Sequence, residues 1–478
     1  MNSHACLAYS LIYLREVSHV ILAQGVTDVL PAADSISMKD DMATSRRTLA
    51  AAPTSRPQGD NDMRHASSAS RPASIRHAIK HRATLLLLGL AGIGSAGAQA
   101  PGSEIRIGVL NDQSGVYSAA TGAGSVIAAK MAVEDAGNVL GRPVQVLVAD
   151  HQFKPDVGAS IARRWYDEGV TAIFDLYHSG VGLVVQDIAK STNKIVMAEI
   201  NSMLFTDEQC SPNGFSWGTD GYSLATIVSK GVSKGEPTSW YFITVDYTAG
   251  HSTEQEARKV IEASGSKVLG SVRFPAGAAD FSSFILSAQS SKAKNVGFIG
   301  GGTDTLNIAK QVREFGLAQM GQKFVPFSLG TIDVPAMGME VAQGLPVAFS
   351  YYWGLSPQAE AWKERFKKAS GGKLPSDQQA DVYSEVFHYL KAVKAAGTTD
   401  TSAVLAKMRE LPVEDFFTQG AKIRADGRLM RNMYYGVIKA PASMKNPDDL
   451  MEVVKTFSGE EAFLPAAQSK CPLLVQKK

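Results

Sequence analysis

Between residues 104 and 352 the chain alternates short β-branched runs with stretches of helical spacing, and it does so twice. Residues 104–110, 143–150, 170–175 and 194–199 read as strands, with helical patterns at 125–137, 155–168 and 181–191 between them. The second series has strands at 239–245, 267–273, 294–299 and 322–329, and helices at 254–264, 281–291 and 303–315. Strands alternating with helices of this length are assembled as βαβ units into parallel sheets. The polar stretch 202–221 divides the two series. A run at 345–352 is followed by helical patterns at 357–368, 378–396 and 401–410, too many elements to extend the second series. These are expected to return to the first, and a strand near 433–438 to cross again. The expected fold is α/β: two doubly wound parallel-sheet lobes joined by a multi-crossover hinge. Lobe I is assigned 101–218 and 350–432, and lobe II 219–349 and 433–478.

Upstream of the first strand lies a secretion signal. Arg76, Lys80 and Arg82 lead into the apolar run 83–93, followed by the small residues Ala96, Ala98 and Ala100. The run is 11 residues long, about half of what a spanning helix needs. Cleavage is expected after Ala98, since Pro101 disfavours the site after Ala100. Such a signal begins at an N-terminus, so Met63 is the expected start and 1–62 a non-native upstream extension, with 63–100 the signal region. The expected location is the periplasm.

Charge supports a neutral exported body. Of the 48 basic and 46 acidic residues, 38 and 39 follow position 100, a net charge of −1 there. Nothing in this balance suggests the clustered basic face of a nucleic-acid binder, and no nucleic-acid partner is expected. The cysteines are Cys6, Cys210 and Cys471. In an oxidising compartment the last two most simply form one disulfide, with two separate thiols as the alternative. Without a nearby histidine cluster they lack metal-ligand spacing, and no metal or other cofactor is expected.

In open α/β sheets ligands bind beyond the carboxyl ends of the strands, so the loops there hold the candidate residues. After the first strand come Ser114, Tyr117 and Ser118, leading into a helix N-terminus that favours an anion. Tyr177, His178 and Ser179 follow the third strand, and Asn201 and Ser202 the fourth. In the second series Tyr247 follows the first strand, Gly301 the third, and Thr331 and Asp333 the fourth. Polar loops and helix caps produce such residues anyway, but in the expected fold loops of both halves would converge on one cleft.

Two catalytic patterns fail on context. Gly214-Phe215-Ser216-Trp217-Gly218 fits the nucleophile elbow of hydrolases, yet Ser211-Pro212-Asn213 before it offers no apolar run for the required strand. Gly122-Ala123-Gly124 lacks the third glycine of a dinucleotide fingerprint, and Gly300-Gly301-Gly302 alone is a weak signal. No enzymatic function is expected.

The segments 105–110 with Ser114-Gly115 and Tyr117, 128–134, Asp246-Tyr247 with Gly250, and Asp280-Phe281-Ser282-Ser283 together resemble the leucine/isoleucine/valine-binding family of type I solute-binding proteins. The resemblance covers 104–439. It implies a receptor of an ABC importer that closes by hinge motion on a small amino acid or an aromatic or other small carboxylate. It implies inner-membrane permease subunits as partners and a monomer. The same fold feeding a signalling partner is the alternative. By position, Tyr117, Ser179, Ser202 and Tyr247 would face the ligand, with Ser179 and nearby N–H groups on a carboxylate. Family members that bind amino acids use an acid of the second lobe for the ammonium group. The loop Leu329-Gly330-Thr331-Ile332-Asp333 has no glutamate there, so either Asp333 substitutes or the ligand lacks an amine. Asp150-His151-Gln152, Lys154-Pro155-Asp156 and Cys471-Pro472-Leu473 resemble a subset associated with other small acids.

Overall fold

The structure, a computed structural model, describes residues 104–474; the expected signal, the start at Met63 and the upstream extension lie outside the described residues. The first lobe is a parallel sheet of β1 (Ile105–Asn111), β2 (Val144–Asp150), β3 (Val170–Asp175), β4 (Ile195–Ala198) and β5 (Gly214–Ser216), in the order β2-β1-β3-β4-β5. Its connecting helices are α1 (Gly122–Ala136), α2 (Pro155–Asp167) and α3 (Ser179–Ser191). β1 and β3 are buried on both faces, which is why they read as near-continuous apolar runs. β2 lies at the sheet edge, is only partly buried and leaves Val148 43% exposed.

Helix α4 (Gly221–Ser233) opens the second lobe, whose parallel sheet has β6 (Ser239–Val245), β7 (Lys267–Phe274), β8 (Asn295–Ile299) and β9 (Lys323–Pro326). The order β7-β6-β8-β9 repeats that of the first four strands, so both lobes are wound alike. Helices α5 (Thr248–Ala263), α6 (Ser282–Ser291) and α7 (Thr303–Glu314) connect them, and the short α8 (Asp333–Met337) and α9 (Met339–Ala342) follow β9.

The chain then runs through β10 (Pro346–Phe349), α10 (Pro357–Ala369), α11 (Asp377–Ala396), α12 (Thr401–Glu410) and the hairpin of β11 (Lys422–Ile423) and β12 (Leu429–Met430). β13 (Met433–Ile438) and β14 (Met451–Phe457) complete an antiparallel sheet, β10-β13-β14. Helix α11 packs along α1 of the first lobe. A Cβ on Gly124 would stand 2.1 Å from the Gln379 amide, so the two helices meet where one has no side chain. Gln379 donates to the Ala119 and Thr121 carbonyls, and Ser376 to that of Ala120.

Among the elements that depart from the sequence reading, three bear on the crossing between the lobes. Gly214–Ser216 is a strand, paired with β4, although no apolar run announces it. Residues 221–233 form α4, whose start is fixed by an Asp220–Ser223 capping box rather than by periodicity. Helix α5 begins at Thr248, six residues earlier than its spacing indicates. Ser216 is therefore inside a strand, 2% exposed, with its hydroxyl accepting from Arg428. A nucleophile elbow needs its serine on the turn between strand and helix, so this pattern has no such geometry.

Candidate functional site

The loops at the carboxyl ends of both sheets face each other across a cleft. On the first-lobe side Asp112 builds the loop after β1: its carboxylate accepts from the Gly115 and Tyr117 backbone at 2.6 and 2.9 Å. This turns Tyr117 into the cleft, where its hydroxyl meets that of Tyr247, from the second lobe, at 2.8 Å. Tyr177 packs edge-on against Tyr117, with centroids 5.1 Å apart. Phe153 contacts Tyr117 and Tyr247 at 5.7 and 5.5 Å, and the His178 ring stacks on Tyr247 at 5.4 Å. Five rings thus form one contact between the lobes.

Backbone strain helps to place them. Gln152, Phe153, Asp175 and Leu176, at the ends of β2 and β3, all have φ between 53° and 78°. Non-glycine residues hold such angles at a cost of about 1–3 kcal/mol each, and they cluster at functional sites. His178 caps α3 by accepting from the Val181 N–H at 3.1 Å, and burial lowers its pKa to about 4, so the imidazole is neutral. Burial also raises Tyr117, Tyr177 and Tyr247, the last to about 12. All three keep their protons at neutral pH.

Two adjoining cavities lie in the cleft. The first is lined by Tyr117, Tyr177, Ser179, Glu199, Asn201, Tyr247 and Gly301, among others. The second shares Tyr117, Tyr177, Gly301 and Ser328 with it and adds Asp333 and Asp377. Their volumes are about 20 and 30 Å³, room for a water or two. An amino acid is several times larger, so admitting one requires the lobes to part.

Seven of the eleven residues expected from sequence line these cavities: Tyr117, Tyr177, Ser179, Asn201, Tyr247, Gly301 and Asp333. The other four are not brought to them. Ser114 donates to Asp150 outside the cleft at 2.6 Å, and Ser118 is turned back on the Gly115 carbonyl at 2.8 Å. Ser202 is buried, its N–H donating to the Ser179 hydroxyl at 3.2 Å. Thr331 is buried in the turn before α8, with Ser328 lining both cavities instead.

Sequence reading missed two acids, Glu199 and Asp377. Glu199 follows β4, is 3% exposed and lies beside Gly218, where a Cβ would come within 1.9 Å of its Oε2. Burial, then Asp381 and Glu385, push its carboxyl well above the usual range. Burial likewise raises Asp333 and Asp377, each to about 7. Asp333 accepts from the Gly330 N–H at 2.9 Å. The one sequence signal for Glu199 was a charge closing an otherwise apolar strand.

Behind the site the hinge is ionic. Arg428 donates to the Ser216 and Gly218 carbonyls, at 3.2 and 2.8 Å, and to Asp220 at 3.2 Å. Arg431 pairs with Asp381 of α11. The crossing segment 217–220 is thereby fastened to the β12 hairpin. The Cys210–Cys471 disulfide closes a separation of 261 residues, with Cα atoms 5.6 Å apart. Among the described residues no cluster fit for a metal ion occurs, and no helix is long and apolar enough to cross a membrane.

Two similarly wound lobes with facing loops and an ionic hinge define a two-lobed binding protein. The pattern of the family described as periplasmic binding protein matches residues 104–443, and the chain belongs to that family. A crystal structure of a periplasmic binding protein from Burkholderia mallei is 38% identical, with a TM-score of 0.75, covering 78% of this chain and 99% of that one. A branched-chain amino acid ABC transporter periplasmic ligand-binding protein from Burkholderia xenovorans is 36% identical, with a TM-score of 0.70, covering 78% and 100%. The Leu/Ile/Val-binding protein homolog 6 of Brucella melitensis is 26% identical over 325 residues, 66% of this chain and 82% of that protein.

Proposed function

We propose that this chain is the substrate-binding component of an ABC importer, exported to the periplasm, capturing a small amino acid or aromatic carboxylate between its lobes. The lobes are read as 101–218 with 350–432, and 219–349 with 433–478. The observation that carries the reading is the Tyr117–Tyr247 contact across two cavities lined from both sheets. A ligand touching both lobes favours the closed arrangement over the open one, and a permease can then distinguish loaded from empty receptor. The Burkholderia xenovorans relative, named for branched-chain amino acids, supports this solute class. The receptor acts as a monomer and carries out no chemistry on its ligand.

The test is a thermal-shift screen with branched-chain and aromatic amino acids, aromatic carboxylates and small keto and dicarboxylic acids. A ligand at 100 times its Kd adds about 2.7 kcal/mol, a shift of several degrees. Silence across the panel would refute the small-acid reading.

A further inference from the structure

We infer that Gly301 and Gly302 form a seat on the second lobe for the Val116–Tyr117 corner of the first, a contact that needs no solute and limits how far the lobes close. The inference rests on the lobes moving about the hinge as proposed above.

Three glycines follow β8, and they are small for different reasons. A Cβ on Gly300 would stand 2.6 Å from the Phe298 ring and 2.9 Å from that of Phe274, both of its own lobe. The other two meet the opposite lobe. A Cβ on Gly302 would lie 2.3 Å from the Val116 carbonyl oxygen and 3.2 Å from the Tyr117 ring. Gly302 also has a φ of 56° where it caps α7, a conformation that by itself favours glycine. Gly301 has no positive φ. A Cβ there would come within 2.9 Å of a Tyr117 ring carbon, and the three nearest atoms all belong to Tyr117. The ring of the other lobe is what keeps a side chain away.

Neither side of the contact is free to give way. Asp112 fixes the corner by accepting from the Ser114, Gly115 and Tyr117 N–H groups at 3.3, 2.6 and 2.9 Å. The Tyr117 ring is held by Phe153 and Tyr177 of its own lobe. Across the cleft, Asp304 in the first turn of α7 accepts from the Gly277 N–H at 3.0 Å and so ties the loops after β7 and β8 together. The Val116 side chain reaches toward Gly277, 3.9 Å from where its Cβ would stand. The corner thus settles between two second-lobe loops. All of these contacts are protein on protein, so the closed arrangement has support before a solute arrives. The empty receptor therefore populates it, and a solute shifts an existing equilibrium. A side chain on Gly301 overpacks the closed state alone, because opening parts it from Tyr117. That should lower the ratio of closed to open molecules by about fivefold or more.

The experiment reads lobe separation in the free protein by double electron–electron resonance. Nitroxides are attached at Asp156→Cys on α2 and Lys310→Cys on α7, both exposed, on a Cys6→Ser background. Cys210 and Cys471 are joined and take no label. Without solute the wild type should show a short distance beside a long one. Gly301→Ala should lower the short component relative to the long by about fivefold or more, and Gly301→Val further, with the long distance unmoved because the open fold is intact. A long distance alone in the free wild type, shortened by leucine, overturns the solute-free contact and leaves the hinge reading standing. Two components of unchanged ratio in both Gly301 variants overturn the seat and likewise leave the hinge. One distance that neither leucine nor either variant alters overturns both. The wild-type arm needs no variant, so the inference stays refutable if a substituted protein does not fold.

Discussion

Replacing Tyr247 by Phe removes one oxygen from the cross-lobe contact and keeps the ring. In the closed arrangement the Tyr117 hydroxyl then loses its 2.8 Å partner; in the open arrangement water serves it in both proteins. The ring contacts with Phe153 and His178 remain. The closed state should therefore weaken by the net value of one hydrogen bond, about 0.5–1.5 kcal/mol. That is about a 2- to 13-fold fall in the ratio of closed to open molecules. Where the open form predominates, apparent ligand affinity falls by the same factor. Small-angle scattering of the free protein should show a larger mean radius in Tyr247→Phe, and titration with leucine a matching loss of affinity. A double-mutant cycle gives the sharper check. Tyr117→Phe and the double variant should each lose about as much as Tyr247→Phe, because the three lack the same bond. Fully additive losses, or an unchanged radius and affinity, would refute the idea that this bond holds the lobes together.

Three further outcomes are expected. Cys471→Ser should lower stability by about 2–4 kcal/mol, read as a fall in denaturation midpoint without loss of the α/β circular-dichroism signature. Burial raises Asp333 from about 3.8 to about 7, so its stabilising neutral form is complete below pH 4 and is lost as pH rises through 7. Asp333→Asn should accordingly raise the melting temperature at pH 8 and leave it nearly unchanged at pH 4. Ser216→Ala deprives buried Arg428 of an acceptor and should cost about 1–3 kcal/mol, measured by chemical denaturation, with no esterase activity in either protein.

The regular parts of the fold were readable because burial leaves a pattern. Strands β1, β3, β6 and β8 are largely buried, so their residues are predominantly apolar. β5 was not readable: three residues, Gly214, Phe215 and Ser216, owe their conformation to β4 on one side and to the Gly427 carbonyl and Arg428 on the other. Helix α4 is buried along much of its length between α5 and β10, and its serines and glycines hide the usual stripe. In the site, the tyrosines were legible from their place after strands. Glu199 was not, because its role depends on α11 and the β12 hairpin, about 180 and 230 residues further along.

The bond between Cys210 and Cys471 has a consequence for how the protein matures. Its two sulfurs belong to segments made 261 residues apart, so it cannot form until synthesis has passed residue 471. Asp207 accepts from the Ser469 hydroxyl at 2.8 Å, and Lys470 pairs with Glu208, so the same folded corner that seats the tail also aligns the thiols. A misassembled chain does not bring these stretches together. Oxidation therefore acts as a late seal on a chain whose tertiary structure is already correct, and the free-thiol content of a preparation reports the fraction that never reached it.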